Sequence, residues 1–159
     1  MAGSIPTIKK TVAALIVFGF AHAAFAAEFE SPLTACLSNG TAIGGVGSCG
    51  KIWKLKSGKA ELKGGKLKVN VKGLVLNDAS VGKYNGTPDG VDAVAAAVIC
   101  HGPSGASVAA QLDPVPLSQK GDAKIEGKVD LPNGCVGPVV VLRERYEGKI
   151  GGWLAGTGM

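Results

Sequence analysis

Histidine is nearly absent from this chain. There are two in 159 residues, His22 and His101. His22 falls in the apolar N-terminal stretch, so His101 is the only one beyond it. A metal centre draws three or four convergent ligands, mostly from His and Cys, and one histidine supplies too few. Any serine nucleophile would have His101 as its only imidazole base, and no G-x-S-x-G elbow is present. Asp78, Asp89 and Asp92 do not match the spacing of an EF-hand loop. Nucleic-acid motifs and internal repeats are also missing. Aromatic residues make up 5% of the chain, and no long amphipathic run of helical period occurs. With no catalytic constellation in view, the expectation is a non-enzymatic protein without cofactor or metal.

What is there begins with a leader. Lys9 and Lys10 precede the apolar run Thr11–Phe25, which is short of the ~20 residues a membrane helix needs. Ala24-Phe25-Ala26 supplies small residues at the −3 and −1 positions of a cleavage site. Residues 1–26 therefore read as a signal peptide, and the protein as secreted, periplasmic or extracellular. Leu33-Thr34-Ala35-Cys36 has the form of a lipobox, but Glu28 and Glu30 separate it from the apolar run, so lipidation of Cys36 is not expected.

The four cysteines, Cys36, Cys49, Cys100 and Cys135, all follow the leader. An even number in an exported chain favours two disulfides. Three pairings are open; joining chain neighbours favours Cys36–Cys49 and Cys100–Cys135. Residues 27–50 then form an N-terminal extension with a disulfide loop, and residues 51–159 the main domain, the whole being one folded unit.

The main domain reads as strand and turn. In Lys66–Val71 (KLKVNV), Leu67, Val69 and Val71 alternate with lysines and Asn70, the period of a half-buried strand. Lys59–Lys63 precedes it across Gly64-Gly65, a two-residue hairpin signal. The implied register sets Leu62 against Leu67, Ala60 against Val69 and Glu61 against Lys68. Asp122–Leu131 alternates likewise, with Lys124, Glu126 and Lys128 outward. Pro138–Leu142 (PVVVL) suits a central strand. Val91–Ile99 is apolar throughout and is read as a buried strand, with a short helix as the alternative. Alternation in Arg143–Tyr146 puts the two arginines on one face and Glu144 with Tyr146 on the other. The fold class is all-β: an antiparallel, disulfide-stapled β-sandwich of about seven to eight strands, immunoglobulin-like or Greek-key.

Three features carry functional expectations. Cys100-His101 is adjacent within a strand, so the two side chains point to opposite faces and make a poor nucleophile–base pair; a disulfide cysteine followed by a turn is expected. His101-Gly102-Pro103 after a strand resembles copper–zinc superoxide dismutases and chordin-type domains, but the several histidines of a dismutase site are missing. Second, residues 51–72 hold eight lysines and one acid, Glu61. Lys54, Lys56, Lys66, Lys68 and Lys72 are candidate anion-binding residues for an envelope polysaccharide or another anionic polymer. A plain solvated face, whose lysines discourage edge pairing, is the alternative. Third, the turn-rich segment 77–90 is a candidate contact for a protein partner.

The succession KVNVKGLVL, AAAVICHG, VPLSQKGDAKIEGKVDLPNGC and PVVVLRERYEGKIGGWLAGTG resembles small exported bacterial β-proteins of unassigned function. The likeness spans roughly residues 66–157. It implies a constant Cys100–Cys135 pair and no activity; Cys36 and Cys49 lie outside it. The expected function is a secreted binding or structural module of the envelope or extracellular space. A metal-dependent protein or enzyme using His101, or a subunit or inhibitor acting through 77–90, is the alternative.

Overall fold

The structure is a computed structural model and describes residues 28–37 and 41–158. The leader and its cleavage site lie outside the described residues.

The described residues form eleven strands: β1 (Phe29–Ala35), β2 (Trp53–Lys54), β3 (Ser57–Lys63), β4 (Lys66–Lys72), β5 (Val75–Leu76), β6 (Ala93–Gly102), β7 (Gly105–Gln111), β8 (Val115–Pro116), β9 (Ala123–Lys128), β10 (Val136–Tyr146) and β11 (Lys149–Thr157). These strands pair with one another antiparallel throughout. One continuous sheet runs β7-β6-β10-β11-β1-β3-β4-β9, with β8 pairing the start of β6 on the same edge as β7, and β2 with β5 forms a separate ribbon. The protein is all-β and disulfide-stapled as expected. Its two halves, however, belong to a single curled sheet and not to two separate sheets facing each other.

The curl turns on β1. Its first half, Phe29–Pro32, pairs with β3, and its second half, Leu33–Ala35, pairs with β11. Pro32 cannot donate to a ladder, and it sits where the strand changes partner. At the open side, Leu112 lies against Gly127 of β9; a Cβ on Gly127 would come within 2.7 Å of the leucine.

One core fills the curl. Leu62, Leu67, Val69 and Ile125 come from one half, and Val94, Val98, Val140, Leu142 and Leu154 from the other. The β3–β4 hairpin has the register its alternation implied, with Leu62 opposite Leu67 and Ala60 opposite Val69. Its turn glycines, Gly64 and Gly65, both have positive φ, as a type I′ turn requires. Residues Ala93–Cys100 of β6 are buried throughout, which explains their apolar run and settles that segment as a strand.

Both disulfides join chain neighbours, Cys36–Cys49 and Cys100–Cys135. The sulfur of Cys36 is thus committed to Cys49, which leaves no thiol there for a lipid. Residues 41–48 of that loop lie on the sheet: the Trp153 amide donates to Gly47 O at 2.8 Å, and the Trp153 indole N–H to Thr41 O at 3.3 Å. Among the described residues, no helix is long and apolar enough to cross a membrane.

Candidate functional site: a lysine-rich sheet face

Pleating sends Lys59, Glu61 and Lys63 of β3 outward, with Leu62 and Ala60 inward. Lys66, Lys68 and Lys72 leave β4 on the same side. Pairing with β9 then sets Lys128 opposite Lys66, Glu126 opposite Lys68 and Lys124 opposite Asn70. β1 adds Glu30, opposite Glu61. The result is an outer face of seven lysines and three glutamates.

The charges are not evenly mixed. Lys63, Lys66 and Lys128 occupy consecutive positions across three strands, directly opposite one another. Strands lie about 4.8 Å apart, and like charges so placed repel. Lys66 relieves part of this by leaning diagonally to form an ion pair with Glu126. Lys59 likewise pairs with Glu30 at 2.7 Å. Both pairs are largely solvent-exposed, so each contributes little to stability. The hydrogen bond from Lys66 holds the Glu126 carboxyl below its ordinary range, and the charges of Lys66, Lys68 and Lys124 add to the effect.

Of the five lysines singled out from sequence, Lys66, Lys68 and Lys72 stand together on β4. Lys56 adjoins them: its amide donates to Lys72 O at 3.1 Å and its Cβ packs on Gly73. Lys54 stands apart, on the β2–β5 ribbon opposite Val75. Sequence reasoning missed Lys124 and Lys128 as members of this face. They lie more than fifty positions from β4, and only the β4–β9 register brings them there. Their outward alternation in β9 was the available signal.

Cys100 is oxidised, which removes its thiol as a nucleophile. His101 is exposed on β6, opposite Ala106 on one side and Val136 on the other. Among the described residues no three His, Cys, Asp or Glu side chains gather as a metal site. Asp78 instead caps a short 3-10 helix (Ala79–Tyr84), accepting from the Ser80 amide at 2.9 Å; hydrogen bonding to the Ser80 hydroxyl, and then to its amide, lowers the Asp78 pKa. Asp92 takes a two-pronged contact from Arg145, at 2.6 and 3.2 Å, and the guanidinium likewise lowers its pKa. Arg143 points elsewhere, bonding Gln111 Oε1 at 2.7 Å and Gly151 O at 3.0 Å.

Segment 77–90 is closed by its own bonds. Leu76 and Gly86 bond at its neck: Gly86 N donates to Leu76 O, and Leu76 N to Thr87 O, each at 2.9 Å. The Asp78 amide donates to Asn85 Oδ1 at 3.1 Å, and Thr87 Oγ1 to Tyr84 O at 2.7 Å.

Comparison with protein-family models, curated proteins and solved structures finds no match to this chain.

Proposed function

We propose that this protein is a secreted, non-catalytic binding or structural module, and that its contact surface is the outer face of β3, β4 and β9, directed at an anionic polymer of the envelope or extracellular space. The observation that carries this reading is the row Lys63–Lys66–Lys128. Lysines serving only solubility, or only discouraging edge pairing, would gain by alternating with acids across strands. A repulsive row is relieved when an extended anion lies along it. The two disulfides support an oxidising compartment.

Retention on a sulfated polysaccharide matrix tests the proposal. At about 0.05 M NaCl the protein should be retained, and it should elute before about 0.5 M, where exposed charges more than ~5 Å apart are screened. Changing Lys66, Lys68 and Lys72 to Glu should weaken retention by about tenfold or more. Retention unaltered by these changes, or insensitive to salt, overturns the assignment of this face.

A further inference from the structure

The second feature of note lies away from the three-lysine row. Between residues 28 and 158 there are five aromatic side chains: Phe29, Trp53, Tyr84, Tyr146 and Trp153. Three of them, Trp53, Tyr84 and Tyr146, line one cleft of about 310 Å³, a size suited to a small ligand. Lys51, Asp89 and Glu144 share its lining. Trp53 is buried at 4% exposure and belongs to the floor, whereas Tyr84 and Tyr146 are 41% and 50% exposed. A sparse aromatic complement thus spends both its tyrosines, half open to solvent, on one site.

The walls are fixed before any ligand arrives. Tyr146 is the last residue of β10, next to the turn Glu147-Gly148, where both φ are positive. Its ring lies on Gly90: a Cβ there would sit 2.7 Å from Tyr146 Cε2, so the close approach needs glycine. The backbone that carries Tyr84 is held by the Thr87 hydroxyl, which donates to the Tyr84 carbonyl. Glu144 lies over Gly151 and Gly152, its Oε1 accepting from the Gly152 amide at 3.4 Å. Lys51 Nζ reaches Ser80 Oγ at 3.5 Å. Neither Asp89 nor Glu144 belongs to an ion pair among the described residues. A site so held loses little ordering entropy on binding.

The mixture of groups selects the ligand class. Asp89 and Glu144 oppose a polyanion. Lys51, with Lys83 5.0 Å from the Tyr84 ring centroid, opposes an organic cation. Three charged side chains make a poor lining for a lipid tail. A neutral ligand with an apolar face and hydroxyl groups that both donate and accept satisfies every member. Its C–H face stacks on tyrosine, its hydroxyls donate to the carboxylates, and the ammonium and phenols donate to its oxygens. We infer that this cleft binds a neutral saccharide unit, independently of the lysine face.

Saturation-transfer NMR with cellohexaose, maltohexaose and chitohexaose, at about 0.5 M NaCl to screen the lysines, tests the inference. At least one of the three should receive saturation from the protein. Tyr84→Ala and Tyr146→Ala should each weaken its Kd by about tenfold, and Tyr146→Phe, which keeps the ring face, by less than about threefold. Glu144→Gln preserves shape and should weaken it about fivefold. Triple change of Lys63, Lys66 and Lys128 to Ala should leave it unaltered. Transfer to none of the three, transfer indifferent to both tyrosines and Glu144, or transfer lost in the lysine variant overturns the inference. The last outcome would still leave the lysine face as a binding surface, whereas failure on the sulfated matrix would leave the cleft untouched.

Discussion

At the scale of single residues, backbone conformation and close approach decide more than side-chain chemistry does. Gly121 has φ +77°, its amide donates to Ser118 O at 2.8 Å, and its carbonyl accepts from the Leu74 amide at 2.9 Å. A Cβ there would fall far inside contact distance of the Leu74 backbone, and Leu74 is fully buried and unable to give way. Gly86 has a similar φ, +82°, with open space around it. Gly86→Ala should therefore cost only the left-handed backbone penalty of about 1 kcal/mol, and Gly121→Ala about 3 kcal/mol or more. Chemical denaturation of both variants separates strain from collision; equal losses would refute the contact explanation. Protonation is a second residue-scale effect. Asp92, Asp78 and Glu126 all have lowered pKa values in the folded state. The stability they contribute is present above the unfolded carboxylate pKa of about 4 and is lost as pH falls through the folded values. Replacing Asp92 by Asn removes one of these titrations together with its charge on Arg145. The Tm gap between wild type and Asp92→Asn should accordingly be full at pH 6 to 7 and shrink as pH falls below about 4. A gap that stays constant down to about pH 2.5 would mean that the Arg145 contact does not set this titration.

At the scale of elements, legibility followed the strength of the local pattern. The β3–β4 hairpin could be read to the residue, because strict alternation fixes the buried face and Gly64-Gly65 fixes the register. β6 could be read as a buried strand because turn formers bound its apolar run. β1 was not legible. Of FESPLTA only Leu33 is buried, so no periodic stripe marks it, and its proline argues against a strand interior. It enters the sheet because each half needs only one partner. For the same reason the sheet's closure into a single curl could not be foreseen. Two separate sheets and one sheet with a corner strand bury the same alternating residues. The lysine face was half legible: residues on one strand share a face by period, but those on β9 join it only through pairing. The cleft was legible in one respect. Alternation placed Glu144 beside Tyr146 on one face of β10, and both line it. That Tyr84 meets them depends on the path of a loop, which carries no period.

At the scale of the whole molecule, charge is unevenly spread. Residues 28–159 hold fifteen Lys and Arg against twelve Asp and Glu, a net of +3. The outer face of β3, β4, β9 and the start of β1 holds seven lysines and three glutamates, a net of +4, so everything else together is −1. Long-range attraction to an anion would follow net charge and be indifferent to which lysines carry it. Contact along a row would not. Two triple variants separate the cases, because each removes three positive charges. One changes Lys63, Lys66 and Lys128 to Ala, emptying the row. The other changes Lys51, Lys54 and Lys83 to Ala, on the β2–β5 ribbon and around the cleft. Both leave residues 28–159 with a net charge of zero, so nonspecific attraction falls equally. If the row is a contact surface, the first variant should bind a sulfated polysaccharide about tenfold more weakly than the second at about 0.1 M NaCl, where exposed charges beyond ~10 Å are largely screened. The first variant should also be no less stable than wild type, since removing directly opposed like charges relieves repulsion and offsets the loss of the exposed Lys66–Glu126 pair. Equal weakening in the two variants would reduce the face to one contributor among many to a weak overall field.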